Sequence, residues 1–383
     1  MNHRILSFAA CAVAFGFTAS VFAQGAGNRT GDPTAETVRR VVKPWLEKYQ
    51  PPGTIVVVHR EGKTEFIPFG FAHPKRRDPV TADSIFELAS ITKVFATTSL
   101  AIEVEQGKMR LEDPVDKFLP VLREGRDIRH VTLVQLATHS SSLPRVPGKH
   151  PGGGPWTRPS LMQWLVRWEA PYPPGTKSLY SNLALGVLGD AIAAEEREPL
   201  QEVWNRQFLH PLEMHSTFFE VPEREAGRLV QGFDLNGHPV ARATNNGAWP
   251  AGGRLCSTGR DMGKFLAANL GEAPNHPKIV EAMQFAQKPY FQASKAMMQG
   301  LAWQRVHQHG ELIIDKNGGL DGTATYIGMN PGRKLGVVVL CNKGKSQATA
   351  VGRDILTALA GVTPKDEPPP LPDEELDCEA GES

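Results

Sequence analysis

From residue 33 onward the apolar positions follow two different periods, and the period changes along the chain. Between Pro33 and Tyr49 they recur at helical spacing, with Val38, Val41, Val42 and Leu46 on one face. Thr54 to His59 is short and β-branched and is closed by Glu61-Gly62, which predicts a strand. Thr64 to Phe71 predicts its hairpin partner. A polar loop to Asp83 leads into a helix running to about Gln106, with Gly107 as its C-terminal cap.

From Asp113 to about Trp249 proline and glycine are dense, strand signals are few and helical patches dominate, clearest over Leu161 to Trp168 and Leu183 to Ala194. From Leu301 the strand pattern returns. Leu301 to Val306, Leu312 to Asp315, Thr323 to Met329 and Leu335 to Leu340 are four runs separated by turn signals such as Asn330-Pro331-Gly332, and Val351 to Leu359 predicts a closing helix. Strands and helices at both chain ends with a helical stretch between predict an α/β (α+β) fold. Its mostly antiparallel sheet is flanked by N- and C-terminal helices, and a helical lobe is inserted. The expected division is 24–112 and 250–362 for the α/β lobe and 113–249 for the helical lobe, with a site between them. The Pro-rich acidic stretch 363–383 reads as a disordered tail.

The chain has 383 residues, 40% hydrophobic and 22% charged, with a formal net charge of +1. It is long enough for a substantial core, and the charge balance gives no reason to expect nucleic acid or an anionic membrane surface as a partner. Residues 1–23 read as a signal peptide: Arg4 supplies the positive start, Ile5 to Val21 the apolar run, and Val21-Phe22-Ala23 the small residues before cleavage. A membrane anchor is the alternative, but the run is short for a span. Cys11 lies early in the run, against a lipoprotein. The mature chain would be periplasmic or secreted, without a membrane span. It would keep Cys256, Cys341 and Cys378, an odd number that cannot pair fully, although one disulfide is possible. No cysteine or histidine spacing resembles a metal site, and neither metal nor cofactor is expected.

Three short motifs carry the chemistry: Ser90-Ile91-Thr92-Lys93, Tyr180-Ser181-Asn182 and Lys316-Asn317-Gly318. A serine and a lysine three apart on a helix share a face, so the amine can reach the hydroxyl and help activate it. Ser90 is the candidate nucleophile and Lys93 its partner. Lys93 can act as a base only if burial or a nearby cation such as Lys316 lowers its proton affinity. Tyr180 and Asn182 follow Pro173-Pro174-Gly175 on a loop or turn. A phenol between two ammonium groups shares its proton readily, and Asn182 offers a carbonyl to Lys93 and a donor to substrate. Lys316 at a strand end can bind a substrate carboxylate, and Gly318 would let an edge strand approach a ligand backbone. Each motif alone has a plainer reading: a core hydroxyl, a surface lysine, a core tyrosine, a Lys-Asn-Gly hairpin turn. The ordered trio outweighs them.

This order resembles the serine β-lactamase and penicillin-binding-protein superfamily. The tyrosine that begins the middle motif resembles class C β-lactamases and related D-Ala-D-Ala peptidases and esterases. The resemblance runs over roughly Ala35 to Ala360 and includes Thr132 to Ser140, Pro211-Leu212-Glu213-Met214, and Ala251-Gly252-Gly253 followed by Ser257-Thr258. It implies the same two-lobe layout, the same roles for Tyr180 and Asn182, and an oxyanion hole from the backbone N–H groups of Ser90 and Gly319. Asn317 departs from the threonine or serine usual there; its side chain could still donate to a carboxylate. No E-x-x-L-N motif follows the middle motif, which favours a tyrosine-centred route over class A deacylation.

Other signals are missing: there is no G-x-S-x-G elbow, no H-E-x-x-H and no P-loop. His307 and His309 read as a solvent-facing strand edge, and His139 as structural. The expected protein is a monomeric serine hydrolase acting on β-lactams through a Ser90 acyl-enzyme. The nearest rival is a D-Ala-D-Ala carboxypeptidase or endopeptidase using the same residues. An esterase comes third, disfavoured by Lys316, and a non-catalytic binding protein of the same fold is the alternative of a different class.

Overall fold

The computed structural model describes residues 33–242 and 245–363. The signal-peptide reading, the acidic tail and Cys378 lie outside them. In chain order, helix α1 spans Pro33–Tyr49, and strands β1 and β2 span Gly53–Arg60 and Lys63–His73. Short strands β3 (Asp78–Pro79) and β4 (Ile85–Glu87) precede helix α2 (Thr92–Glu105). The middle of the chain holds α3 (Leu133–Ala137), α4 (Arg158–Arg167), α5 (Asn182–Glu196) and α6 (Leu200–Trp204), with one two-residue strand pair, β5 (Gly232–Phe233) and β6 (Pro239–Val240). Next come β7 (Cys256–Thr258), α7 (Gly259–Asn269) and α8 (Pro277–Ala286). The chain closes with β8 (Phe291–Ser294), β9 (Met297–Gln299), β10 (Gln304–Gln308), β11 (Glu311–Leu320), β12 (Thr323–Asn330), β13 (Leu335–Cys341) and α9 (Ala348–Leu359).

Nine strands form one sheet in the order β3-β2-β1-β13-β12-β11-β10-β9-β8, every neighbouring pair antiparallel. The first long strand pairs with the last: Thr54 lies opposite Cys341 and Arg60 opposite Leu335. Both faces are covered, which is why β1 and β13 read as continuous apolar runs rather than alternating ones. Val56, Val58, Tyr326, Val337 and Val339 face α1 and α9, while Ile55, Val57, Ile327, Val338 and Leu340 join the larger core with α2, α5 and α7. Trp45, outside the predicted apolar face of α1, is also buried, and its Nε1 donates to the carbonyl of Ser346 beside α9.

Four expectations change. The Lys-Asn-Gly motif is neither a strand end nor a hairpin turn, because β11 continues through it to Leu320, paired with β12 as Lys316↔Ile327, Asn317↔Tyr326 and Gly318↔Thr325. Leu301 to Trp303 stays outside the strand that begins at Gln304. His307 is exposed on β10, but His309 lies in the following turn with φ of 52°, so the two do not share a strand face. Cys256 and Cys341 are both buried free thiols and form no disulfide.

Candidate active site

Ser90 is held on a short turn, Ala89–Ile91, between β4 and α2, one step before the α-helix itself. A 3-10 turn nearly eclipses side chains three apart, so Ser90 and Lys93 still face the same way. The turn is locked from several sides. Leu88 N–H donates to Leu255 O at 2.8 Å, Thr325 Oγ1 to Leu88 O at 2.8 Å, and Thr92 Oγ1 to Ala89 O at 2.7 Å. Ala89 sits at φ 49°, a left-handed conformation costly for a residue with a Cβ, immediately before Ser90.

Lys93 is wholly buried, 0% exposed. Its Nζ lies 2.7 Å from Asn182 Oδ1, 2.5 Å from Gly252 O and 3.1 Å from Ser90 Oγ. The two carbonyl oxygens can only accept, so they fix two N–H bonds. The third position, toward Ser90, is the one that differs between ammonium and amine: the first donates to Oγ, the second can take its proton. Gly252 delivers its carbonyl because its segment packs tightly on α5; a Cβ there would meet Asn182 O at 2.6 Å. Asn182 is the first residue of α5, with Ser181 as N-cap accepting from Ala184 N–H at 2.9 Å.

Tyr180 OH lies 2.5 Å from Ser90 Oγ. Around its ring stand three cations: Lys93 Nζ at 4.6 Å from the centroid, Lys316 Nζ at 4.8 Å and the Arg145 guanidinium carbon at 5.1 Å. Lys316 is 1% exposed. It projects from the α2 face of β11, the face of Ile314, since Ile313 and Ile314 belong to opposite core clusters and alternation places Lys316 with Ile314.

By the same alternation Asn317 shares the α9 face with Asp315, whose carboxylate pairs with Tyr326 OH at 3.1 Å and with Arg353 Nε at 2.7 Å. Asn317 is buried, and its Oδ1 has no hydrogen-bond partner among the described residues. The expected carboxylate contact from its side chain therefore has no support in the strand geometry. Gly318 is also read differently. A Cβ there would lie 2.5 Å from Leu88 O and 2.8 Å from Ser90 N, so the missing side chain serves first to bring β11 against the Ser90 turn. The β10 ladder ends at Asp315, so from Lys316 to Leu320 the strand pairs with β12 alone. Gly319 thus follows directly on Gly318, opposite Ala324, in the part of β11 that pairs with β12 alone.

Seven of the eight sequence candidates thus converge near Ser90, and the Asn317 side chain does not. Two participants carry no residue-type signature. The Gly252 carbonyl belongs to an Ala-Gly-Gly run with no assigned role, and Arg145 follows Leu143-Pro144 in a loop no motif marks. Among the described residues no group of three or more His, Cys, Asp or Glu could hold a metal ion, and no helix is long and apolar enough to cross a membrane.

Comparison with known proteins bears on the family and the fold. The chain is 27% identical over 344 residues to a beta-lactamase of Lysobacter lactamgenus, covering 80% of this chain and 86% of that one. It is 29% identical over 369 residues to a beta-lactamase of Yersinia enterocolitica, covering 85% and 91%. Its fold is that of class C beta-lactamases: the Rhodobacter sphaeroides enzyme superposes with a TM-score of 0.77 at 26% identity, covering 85% of this chain and 99% of that chain. A D-alanine carboxypeptidase of Burkholderia cenocepacia does so with 0.76 at 25%, with the same coverage. The sequence model of the Beta-lactamase family matches residues 38–362, most of the chain, and the protein therefore belongs to the beta-lactamase family.

Proposed function

We propose that the protein is a serine hydrolase that opens β-lactams through an acyl-enzyme on Ser90, in the manner of class C enzymes. The observation that carries this reading is the position of Ser90 Oγ, 3.1 Å from Lys93 Nζ and 2.5 Å from Tyr180 OH. A serine hydroxyl needs a base to become a useful nucleophile. Three cations around the Tyr180 ring favour negative charge on its oxygen, so Tyr180 as the phenolate takes the Ser90 proton, while the Lys93 ammonium donates to Oγ. Oγ bonds to the lactam carbonyl carbon, and the oxyanion is met by the backbone N–H groups of Ser90 and Gly319. The C–N bond then breaks and Tyr180 returns the proton to the ring nitrogen. Deacylation reverses the roles: Tyr180 takes a proton from water, hydroxide adds to the ester carbonyl, and Ser90 leaves with a proton restored. Lys316 meets the substrate carboxylate, and Asn182 offers its amide donor to the acyl side chain.

The direct test is covalent capture. A slow β-lactam should add its mass to the protein, and peptide mapping should place it on Ser90. Ser90→Ala should take no label and lose at least about 10³-fold in turnover. Label elsewhere, or normal turnover by Ser90→Ala, would end the assignment.

A D-Ala-D-Ala carboxypeptidase is the second reading, favoured by the Burkholderia cenocepacia neighbour with the same fold. The two differ in how fast water clears the acyl group. Stopped-flow hydrolysis of a chromogenic cephalosporin separates them: sustained turnover supports the first, and a single burst followed by almost none supports the second. The reading also places the mature protein in the periplasm or outside the cell, as a monomer.

A further inference from the structure

His139 lies next to the proposed site, and nothing in the mechanism above uses it. Its backbone carbonyl accepts from Leu179 N–H at 2.7 Å, and its ring Nδ1 accepts from Ser181 N–H at 3.2 Å. The two bonds fall on the residues immediately before and after Tyr180. The imidazole also packs against the Tyr180 ring, centroids 4.6 Å apart at 44°. One residue thus holds the tyrosine from both chain neighbours and from its face.

The arrangement has a visible strain. His139 is buried and adopts φ 57°, a left-handed conformation uncommon for any residue other than glycine. With Nδ1 accepting, the proton sits on Nε2, which is buried and has no hydrogen-bond partner among the described residues. Burial, and then Lys316, Lys93 and Arg145, hold the imidazole well below its ordinary range, so it stays neutral and Nδ1 remains an acceptor. Strain and an unpaired donor at one buried residue persist only where the surroundings impose them. The neighbouring backbone continues the grip: Gly175 N–H donates to Ser140 O at 2.7 Å and Asn182 N–H to Arg145 O at 3.0 Å.

We propose that His139 is a positioning residue for the reaction: it clamps Tyr180 so that the phenol oxygen rests on Ser90 rather than swinging away from it. The clamp rests on the β-lactamase reading for its substrate, but the activation of Ser90 can be followed without a β-lactam. A displacement of a reacting group by about 1 Å costs about 10²-fold in rate, so the loss from His139→Ala should be about 10- to 100-fold. The loss should fall on kcat with KM moving much less.

Two rates are measured in each variant: turnover of a chromogenic cephalosporin, and covalent labelling of Ser90 by a fluorophosphonate, which needs only an activated serine. Rates are normalised to folded protein by near-ultraviolet circular dichroism and thermal melting. His139→Ala should slow both in the Tyr180 protein, and should change either by less than about 3-fold in a Tyr180→Phe background, because it acts through that tyrosine. His139→Asn tolerates positive φ and keeps an acceptor, so it should fold and recover part of the labelling rate. Wild-type labelling rates in folded His139→Ala and His139→Asn would overturn the proposal. So would equal losses with and without the Tyr180 hydroxyl, or a wild-type Ser90 that the fluorophosphonate does not label. Labelling that behaves as expected without cephalosporin turnover would leave the clamp standing and remove the β-lactamase reading.

Discussion

The two ends of helix α2 bury charge in opposite ways. At its start Lys93 keeps two N–H bonds on fixed carbonyl oxygens and a third toward Ser90. In its last turn Glu103 is as deeply buried, with Gln207 Nε2 donating to Oε1, Lys108 4.0 Å from Oε2, and Glu196 beside it. Both signs are wrong for the helix dipole, which disfavours a cation at the first turn and an anion at the last. Burial, reinforced by Glu196, pushes Glu103 up to about 7, so below that pH it is neutralised by a proton. Burial works the same way on Glu196, yet its bonds from Lys108 and Arg206 hold it below the ordinary carboxylate range. A buried charge can be retained by complete ligation or removed by protonation. The first leaves a group poised to exchange a proton with a neighbour; the second leaves an inert one.

The contrast breaks most visibly at the Ser90 end. Tyr180→Phe removes the phenol oxygen that rests on Ser90 Oγ, and turnover of a chromogenic cephalosporin should fall about 10²- to 10⁴-fold. Steady-state turnover within a few fold of wild type would move the base elsewhere. Lys316→Ala is expected to be milder and selective. A charge-assisted bond to a carboxylate contributes roughly 1.5–3 kcal/mol, so carboxylate-bearing β-lactams should lose about 10- to 100-fold in kcat/KM and neutral esters far less. Equal losses on both would mean that Lys316 acts in the proton chemistry.

The far end of α2 should answer in stability and not in rate. Glu103→Gln keeps the shape and removes the titration. In the folded state the Glu103 proton affinity is raised, so below the unfolded value both states hold the proton and wild type carries no penalty. Between the unfolded value and about 7 the unfolded chain has released its proton while the folded protein still holds one, so stability falls across that window and levels off above it. The variant should therefore match wild type near pH 4 and exceed it by about 1–3 kcal/mol at pH 8, measured by denaturant melts. Cephalosporin turnover should be unchanged. A stability difference that does not vary with pH would sink this account.

Most of the fold was legible where one period dominated. The helix from Pro33, the hairpin around Glu61-Gly62 and the runs at Thr323 and Leu335 each carry an unbroken pattern. Legibility failed where tertiary packing overrides propensity. Lys316-Asn317-Gly318-Gly319 has the composition of a turn, yet it is strand, because two polar side chains and two glycines are accommodated by neighbours far away in sequence. Strands β8 and β9 carry no unbroken pattern: they span four and three residues, and Gln292 and Gln299 within them donate to the nearby backbone carbonyls of Ser294 and Trp303. The serine, lysine and tyrosine could be picked out by type and order. The Gly252 carbonyl could not, since every residue has one, and the side to which Asn317 turns follows only once β11 is known to be continuous.

The pairing of β1 with β13 also governs the order in which this chain can fold. The contact from Trp45 to Ser346 spans 301 residues. Closing so large a loop has an entropic cost that grows with the logarithm of its length, and local contacts near the start cannot offset it. The β1–β2 hairpin needs only local contacts, while the other edge of β1 stays open until β13 docks on it. An open apolar edge invites pairing with another chain. Topologies dominated by such distant contacts fold slowly, so the hazardous interval is long. The same closure brings α1 and α9 together on one face of the sheet. The arrangement that leaves an edge open during folding therefore also joins the first and last described helices in the finished molecule.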